Sequence, residues 1–427
     1  MRPTPLIGLS LALAAALAGR PTVVAIDATT QNDFAPRVSP LDSPAASNSA
    51  QPQLSVSARG VLLSWIERNG ARATLKFSDR TPAGWSEART VASGDNWFVN
   101  WADVPSVMRL ADGTLVAHWL QKSGTSTYAY DVRLSVSKDG GLMWSASFLP
   151  HSDGTQSEHG FASLFEMTGG GLGLVWLDGR AMHSSSHDTA ASNTNGTMAL
   201  RFGAFDRSRK QTTEVPVDLR VCECCPTTAA MTADGPIVAF RNRTEQEIRD
   251  IYVSRLEQGK WSEPKPVASD GWHITGCPVN GPMLAARGRT VVVAWFTGTD
   301  RQNRAFAAFS QDAGRTFGAP IRLDDSGTLG RVDVELLDDG SAVASWMEFA
   351  PSATEFRIRR VQPSGAKSSA ATVAPMSSGR SSGYPRLARH GNELVMAWVE
   401  SASLPATGRE GGPRVKTAVA ELPRVGR

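Results

Sequence analysis

One pattern returns seven times along this 427-residue chain and constrains its fold more than any other feature. Each instance is an apolar segment, a turn built on Gly, Asp-Gly or Gly-Asn, and an alternating segment that ends at a large aromatic. LSVSARGVLLSW closes at Trp65, PSVMRLADGTLVAHW at Trp119, and ASLFEMTGGGLGLVW at Trp176. The remaining four close at Phe240, Trp295, Trp346 and Trp398, so successive aromatics lie 54, 57, 64, 55, 51 and 52 residues apart. Alternation with period two around such turns is the signature of a β-hairpin. A second hairpin follows each of the first six, as in VRLSVSKDGGLMWSASFL and RAFAAFSQDAGRTFGAPIRL. Two hairpins per repeat make a four-stranded sheet, and such sheets stacked radially make an all-β fold, a single β-propeller. Seven blades is the preferred count; six results if the first hairpin packs outside the ring. The last repeat has one further strand, near Val415 to Glu421, so the N-terminal region is expected to supply the missing outer strand and close the ring.

Within the outer hairpins, Ser137, Asp139, Gly141 and Trp144 stand in the order S-x-D-x-G-x-x-W, and Ser310, Asp312, Gly314 and Phe317 repeat it with Phe at the end. Weaker copies keep the Ser-to-Trp offset from Ser78 to Trp85 and from Ser254 to Trp261. These turns resemble the Asp-boxes, or BNR repeats, of the sialidase-like propellers. The resemblance covers nearly the whole repeat region and implies the propeller fold. In that family the box is a peripheral structural element, so it implies no catalytic role for these residues.

The chain is read as an export signal over 1–25, a polar leader over 26–53, and the propeller over 54–427. Arg2 precedes an apolar run from Leu6 to Leu17, too short to span a bilayer, with Ala16-Leu17-Ala18 or Val23-Val24-Ala25 suited to cleavage. The mature protein is therefore expected in a periplasm or outside the cell. Arg20 stands where a lipoprotein would carry Cys. The leader is expected to be loose, with one short piece recruited as a strand. The 44 basic and 41 acidic side chains leave a net charge of +3 and no basic stripe, which excludes a nucleic-acid partner. No later segment is apolar enough to be a membrane span.

In a propeller the residues entering each inner strand, and those following its hairpin partner, ring one mouth of the central channel. Here that collar holds Asp103, Glu158, His159, Asp178, Arg180, Arg241, Arg243, Asn280, Arg331, Asp333, Glu348, Tyr384 and Arg386. Asp178 and Arg180 lead into a Ser- and Asn-rich stretch, Ser184 to Thr197, read as a flap; His183 and His187 lie beside and within it. His118, His151 and His390 read as ordinary turn or strand residues. The family resemblance implies a glycoside hydrolase with an arginine clamp on a substrate carboxylate and a tyrosine nucleophile. Tyr384 opens the last inner strand, as such a nucleophile would, and Arg331 opens the one before. Arg241 and Arg180 would complete the clamp, and Asp103 would be the acid/base. The chain departs from the family pattern: no Arg-Ile-Pro motif precedes the first blades, and the fifth inner strand opens with Cys277-Pro278. The expected substrate of such an enzyme is a small acidic glycan.

All four cysteines fall between residues 222 and 277, in VCECCP and WHITGCPVNGP, ahead of the inner strands of adjacent repeats. Cys222, Cys224, Cys225 and Cys277 should thus meet at the channel mouth. Three chemistries compete. One is disulfide bonding, natural in an exported protein. Another is a soft-metal centre for copper or zinc, with His273 as a nearby imidazole. The last is thiol chemistry on a substrate. Arg180, Asp178, Asn280 and Arg243 are the ligand-contacting candidates around it. A metal ion is the partner expected of that centre; a propeller that only docks another protein is the remaining class.

Overall fold

A computed structural model describes residues 1, 34, 36–182, 196–351, 353–401 and 412–422. The expected export signal, Met1 apart, and most of the flap with His183 and His187 lie outside the described residues. The chain forms seven antiparallel sheets, so the six-blade alternative is excluded. The innermost strands of blades 1 to 7 are Ser49–Ser57, Ser106–Arg109, His159–Met167, Thr228–Thr232, Met283–Arg287, Thr328–Leu336 and Arg386–His390. Each pairs with the strand that carries the recurring aromatic: Gly60–Asn69, Leu115–Lys122, Gly171–Asp178, Gly235–Arg241, Thr290–Thr297, Ala342–Phe349 and Glu393–Glu400. No helix among the described residues is long and apolar enough to cross a membrane.

Closure comes from the N-terminal side. Val38–Leu41 pairs antiparallel with Arg414–Glu421, Val38 opposite Ala420 and Leu41 opposite Thr417, as the fourth strand of blade 7. Ser49–Ser57 is the inner strand of blade 1. The ring therefore takes in part of the stretch whose polarity suggested a leader.

The second strands are buried on both faces, because each sheet has a neighbour in front and behind. Apolar clusters accordingly sit between blades. Leu62 and Phe77 of blade 1 pack with Val107 and Trp119 of blade 2, and the series continues to Val343 and Met347 of blade 6 against Leu387 and Met396 of blade 7. Trp65 and Leu63 of blade 1 then pack with Val395 and Ala397 of blade 7, which completes the circle. Trp65, Trp176, Trp295 and Trp346 are fully buried. An indole N–H inside such a core needs an acceptor. Trp65 donates to Glu67 at 2.9 Å, Trp176 to Asp178 at 2.8 Å, and Trp346 to Glu348 at 2.6 Å. This Trp-x-acid pattern is visible in the sequence once its purpose is known.

The turn after Ser137 shows why its residues are spaced as they are. Asp139 Oδ1 accepts the hydroxyl of Ser137 at 2.8 Å and the backbone N–H groups of Leu142 and Met143 at 3.1 and 3.0 Å. Gly141 has φ of 90°, and a Cβ there would come within 2.4 Å of Phe77 on blade 1. Trp144 then meets Phe77 edge-on at 6.1 Å. The turn at Ser310 repeats this: Asp312 accepts Arg315 N–H at 3.0 Å and Thr316 N–H at 2.9 Å, Gly314 abuts Ile237 of blade 4, and Phe317 packs on the cluster between blades 4 and 5. Both turns lie at blade-to-blade contacts and touch none of the collar residues through these bonds.

Candidate functional site

The axial channel is a cavity of about 480 Å³ lined by inner strands of six blades, from Ala102 and Asp103 at the entry side to Ala111 and Glu166 near the hairpins. The entry side is plugged. Trp101 stacks on Tyr384 with centroids 5.8 Å apart, and the Arg331 guanidinium lies 4.8 Å from the centre of the Trp101 ring. The Tyr384 hydroxyl donates to the Val279 carbonyl at 2.5 Å, so segments entering blades 2, 5, 6 and 7 meet on the axis.

Beside this plug lie the cysteines. Cys224 and Cys277 form a disulfide, with Cα atoms 6.0 Å apart. Cys222 and Cys225 are free and buried. Their sulfurs are 3.3 Å apart, and Cys222 Sγ is 3.9 Å from Cys224 Sγ. The strand order explains the convergence. Val221 bridges to Asn242, just past the second strand of blade 4, and Cys222 N–H donates to the Arg241 carbonyl at 2.9 Å, which hangs VCECC over the end of that blade. Pro278 to Asn280 then bring the entry of blade 5 alongside.

A charged frame surrounds the free thiols. Arg249 reaches Cys222 Sγ at 3.3 Å and Glu223 at 3.0 Å, and Arg243 binds Glu247 at 2.6 Å and also Glu223. Burial alone would raise the Cys222 thiol. The hydrogen bond from Cys225 and the Arg249 charge outweigh it and bring the thiol down to about 7, while burial and the neighbouring sulfur push Cys225 up. The pair thus loses one proton readily and holds the other. His273 is exposed; its backbone bridges to Ile248, and the ligand atoms that converge belong to Cys222, Cys224 and Cys225.

The residues assigned to a glycosidase are dispersed among structural tasks. Arg241 is buried and donates to the carbonyls of Asn280 (2.7 Å), Phe296 (2.7 Å) and Arg249 (2.5 Å). Arg331, at φ of 52°, donates to Ser382 Oγ at 2.6 Å and to the Gly383 and Gly379 carbonyls at 2.9 and 3.1 Å. Both guanidiniums are occupied by the main chain rather than presented to a cavity. Burial first, and the nearby Cys225 next, hold the Tyr384 hydroxyl well above its ordinary range. Asp103 accepts the Phe161 N–H at 2.8 Å, and burial together with Glu158 raises its carboxyl to about 8. Asn280 is a hub: its Oδ1 accepts the Arg331 N–H at 2.8 Å and its Nδ2 donates to Leu329 at 3.2 Å.

Arg180 and Asp178 belong elsewhere. Arg180 grips Asp178 with two bonds of 2.7 Å and Glu214 with one of 2.8 Å, at a polar cluster between blades 2 and 3 that also contains Asp131, His151, Asp153 and His159. His151, read from sequence as an ordinary turn residue, stacks on His159 at 3.8 Å. Its partners beyond the adjacent Asp153 come from two other segments, Asp131 from blade 2 and His159 from blade 3.

In fold, the class these features define is that of the seven-bladed β-propellers. No protein-family model and no curated protein matches the chain. Among solved structures, the chain is similar to the polysaccharide lyase Uly1, with a TM-score of 0.52 and 11% identity over 94% of each chain. It is similar to a protein of unknown function from Dyadobacter fermentans, with a TM-score of 0.51 and 14% identity over 90% of this chain and 97% of that one. The NanB sialidase of Streptococcus pneumoniae aligns at a TM-score of 0.45 and 10% identity, over 88% of this chain and 94% of that one. At such identities the shared property is the fold.

Proposed function

We propose that this chain is an exported binding protein that takes up a soft ion, Cu(I) in preference to Zn(II), through Cys222 and Cys225 at the plugged mouth of the propeller. The observation that carries this reading is the pair of buried free sulfurs 3.3 Å apart with a guanidinium 3.3 Å from one of them. Thiolates suit Cu(I), which accepts few ligands and tolerates an apolar enclosure. Two thiolates on Cu(I) carry one net negative charge, and the Arg249 guanidinium, held by Glu223 and Glu247, stands 3.3 Å from the Cys222 sulfur as a hydrogen-bond donor to it. The Cys224–Cys277 bridge lies beside the pair. Its reduction would add Cys224, 3.9 Å from Cys222, as a third donor.

The test is a competition titration of the reduced protein with Cu(I) against a chromophoric chelator. One equivalent should be retained, with affinity at least tenfold weaker in Cys222→Ser and in Cys225→Ser. Absence of uptake, or uptake indifferent to both substitutions, would overturn the proposal.

A second reading, an enzyme acting on acidic glycans, draws support from the likeness to a polysaccharide lyase and from the axial cavity lined by polar groups. Product release from a fluorogenic sialoside or a uronic-acid polysaccharide, abolished in Tyr384→Phe, would establish it. The engagement of Arg241 and Arg331 by backbone carbonyls favours the first reading.

A further inference from the structure

The four sulfurs stand in an order that runs from the surface inward. Cys277 is exposed and Cys224 half-buried, while Cys222 and Cys225 are only 1% and 2% exposed. Cys277 and Cys224 share the disulfide. Cys222 Sγ lies 3.9 Å from Cys224 Sγ and 3.3 Å from Cys225 Sγ. The sulfurs of Cys222, Cys224 and Cys225 are all within 4.8 Å of one another, and Cys277 falls outside that group. One buried thiol thus stands next to both the near end of the bridge and a second thiol.

Thiol–disulfide exchange requires this arrangement: a thiolate bonds to one sulfur of a disulfide and the other sulfur leaves. Cys222 is the sulfur placed to attack. The Arg249 guanidinium, 3.3 Å from it, favours the anionic sulfur. Glu223 and Glu247 hold Arg249 at 3.0 and 2.8 Å, so its position does not depend on the thiol. The leaving sulfur belongs to the exposed Cys277. It follows Gly276, where a Cβ would meet nothing within 4 Å beyond the chain neighbours, so the released residue has room to withdraw. Cys222 and Cys225 have C-x-x-C spacing, at which a short segment closes its own disulfide.

We infer that the four cysteines form a thiol–disulfide relay, in which the bridge moves from Cys224–Cys277 to Cys222–Cys225 and the freed Cys277 and Cys224 reduce a disulfide outside the molecule. In the first step the Cys222 thiolate bonds to Cys224 Sγ, and Cys277 leaves with the electron pair and takes up a proton. In the second, Cys225 gives up its proton and bonds to Cys222, and Cys224 leaves and is protonated. One disulfide and two thiols stand on each side, so no oxidant is needed. The intermediate Cys222–Cys224 bridge spans a single residue, a tight loop that Cys225 resolves. Cys277 then bonds to one sulfur of the external disulfide and expels the other as a thiol. Cys224 displaces the remaining half and restores Cys224–Cys277. In sum, Cys222 and Cys225 lose two electrons and two protons, which leave in two external thiols. The relay uses the sulfurs of the copper reading but does not rest on it.

The test uses the full metal-free chain, purified without reductant and exposed to a maleimide on a bulky charged carrier, which reacts at the surface. Cys277 should take the label while mass mapping finds a Cys222–Cys225 disulfide. Labelling of Cys277 should be at least tenfold slower in Cys222→Ser. Cys225→Ser should still label Cys277 and leave the bridge between Cys222 and Cys224, a product that two merely structural thiols would not give. Incubated with oxidised glutathione, the parent should release two equivalents of glutathione and end with both disulfides, a readout that needs no variant. Label confined to Cys222 and Cys225, labelling of Cys277 at the parental rate in Cys222→Ser, or no release of glutathione would overturn the inference. Copper is absent throughout, so none of these results bears on the Cu(I) titration, and weak Cu(I) uptake would leave the relay standing.

Discussion

Asp103 shows how far a single side chain can depart from its sequence meaning. Its position at the mouth of the channel suggested an acid/base, yet its carboxyl is enclosed and accepts the Phe161 N–H. Its folded-state pKa, near 8, lies above that of the unfolded chain, so the native state keeps a proton that the unfolded state has lost. The stability this contributes is fully present below about pH 4 and is lost as the pH rises through 8. Asp103→Asn should therefore flatten the decline between pH 4 and 8 by on the order of 5 kcal/mol, measured as urea unfolding free energy against pH. A slope identical to that of the parent would refute the assignment. The arginines make the same point. Arg241 and Arg331 were conspicuous in the sequence as charges at strand ends, but apart from Arg249, eight positions from Arg241, the carbonyls that occupy them come from residues tens of positions away. Residue type is readable one position at a time; saturation by main chain is not. The convergence of the cysteines was readable, because each motif sits at an equivalent place in consecutive repeats. The Asp131–His151–His159 grouping was not, because a strand, a crossover and the next inner strand each contribute one member.

At the level of the element, the hairpins could be read because their rules are local: alternation, a turn residue with positive φ, an aromatic at a fixed offset. What the alternation could not show was the interlocking of turns with neighbouring sheets. Gly141 and Gly314 combine positive φ with a neighbour where a side chain would stand, Phe77 in one case and Ile237 in the other. Gly141→Ala should cost about 2 kcal/mol, backbone strain and overpacking acting together, and Gly314→Ala a similar amount. Thermal and urea unfolding would check both, with the Cu(I) titration unchanged because neither turn touches the sulfur cluster. The crossover carrying His151 and Asp153 is the element whose role was least apparent. It has few apolar residues, and its order rests on the polar cluster beneath it.

The whole ring depends on a pairing between opposite ends of the described chain. The clusters between consecutive blades are all of one kind, so the seventh must be held as firmly as the others for the circle to be shut. Removing the residues through Leu41 should bare the edge of Arg414–Glu421, lower the melting temperature by on the order of 10 °C, and promote self-association through that edge. Calorimetry with light scattering would measure both, and an unchanged, monomeric truncation would show that the strand is dispensable. The composition of the segment around Val38 was polar enough to suggest a leader, since one edge strand of four residues needs little apolar content of its own.

That join has a consequence for biosynthesis. Val38–Leu41 leaves the ribosome early, and its strand partner, Arg414–Glu421, is made more than 370 residues later. Blades 1 to 6 can each gather their strands as they emerge, but the circle stays open until elongation is nearly finished. Until then the first-made strand has no mate, and holding it apart from other chains is a task for whatever accompanies the nascent polypeptide.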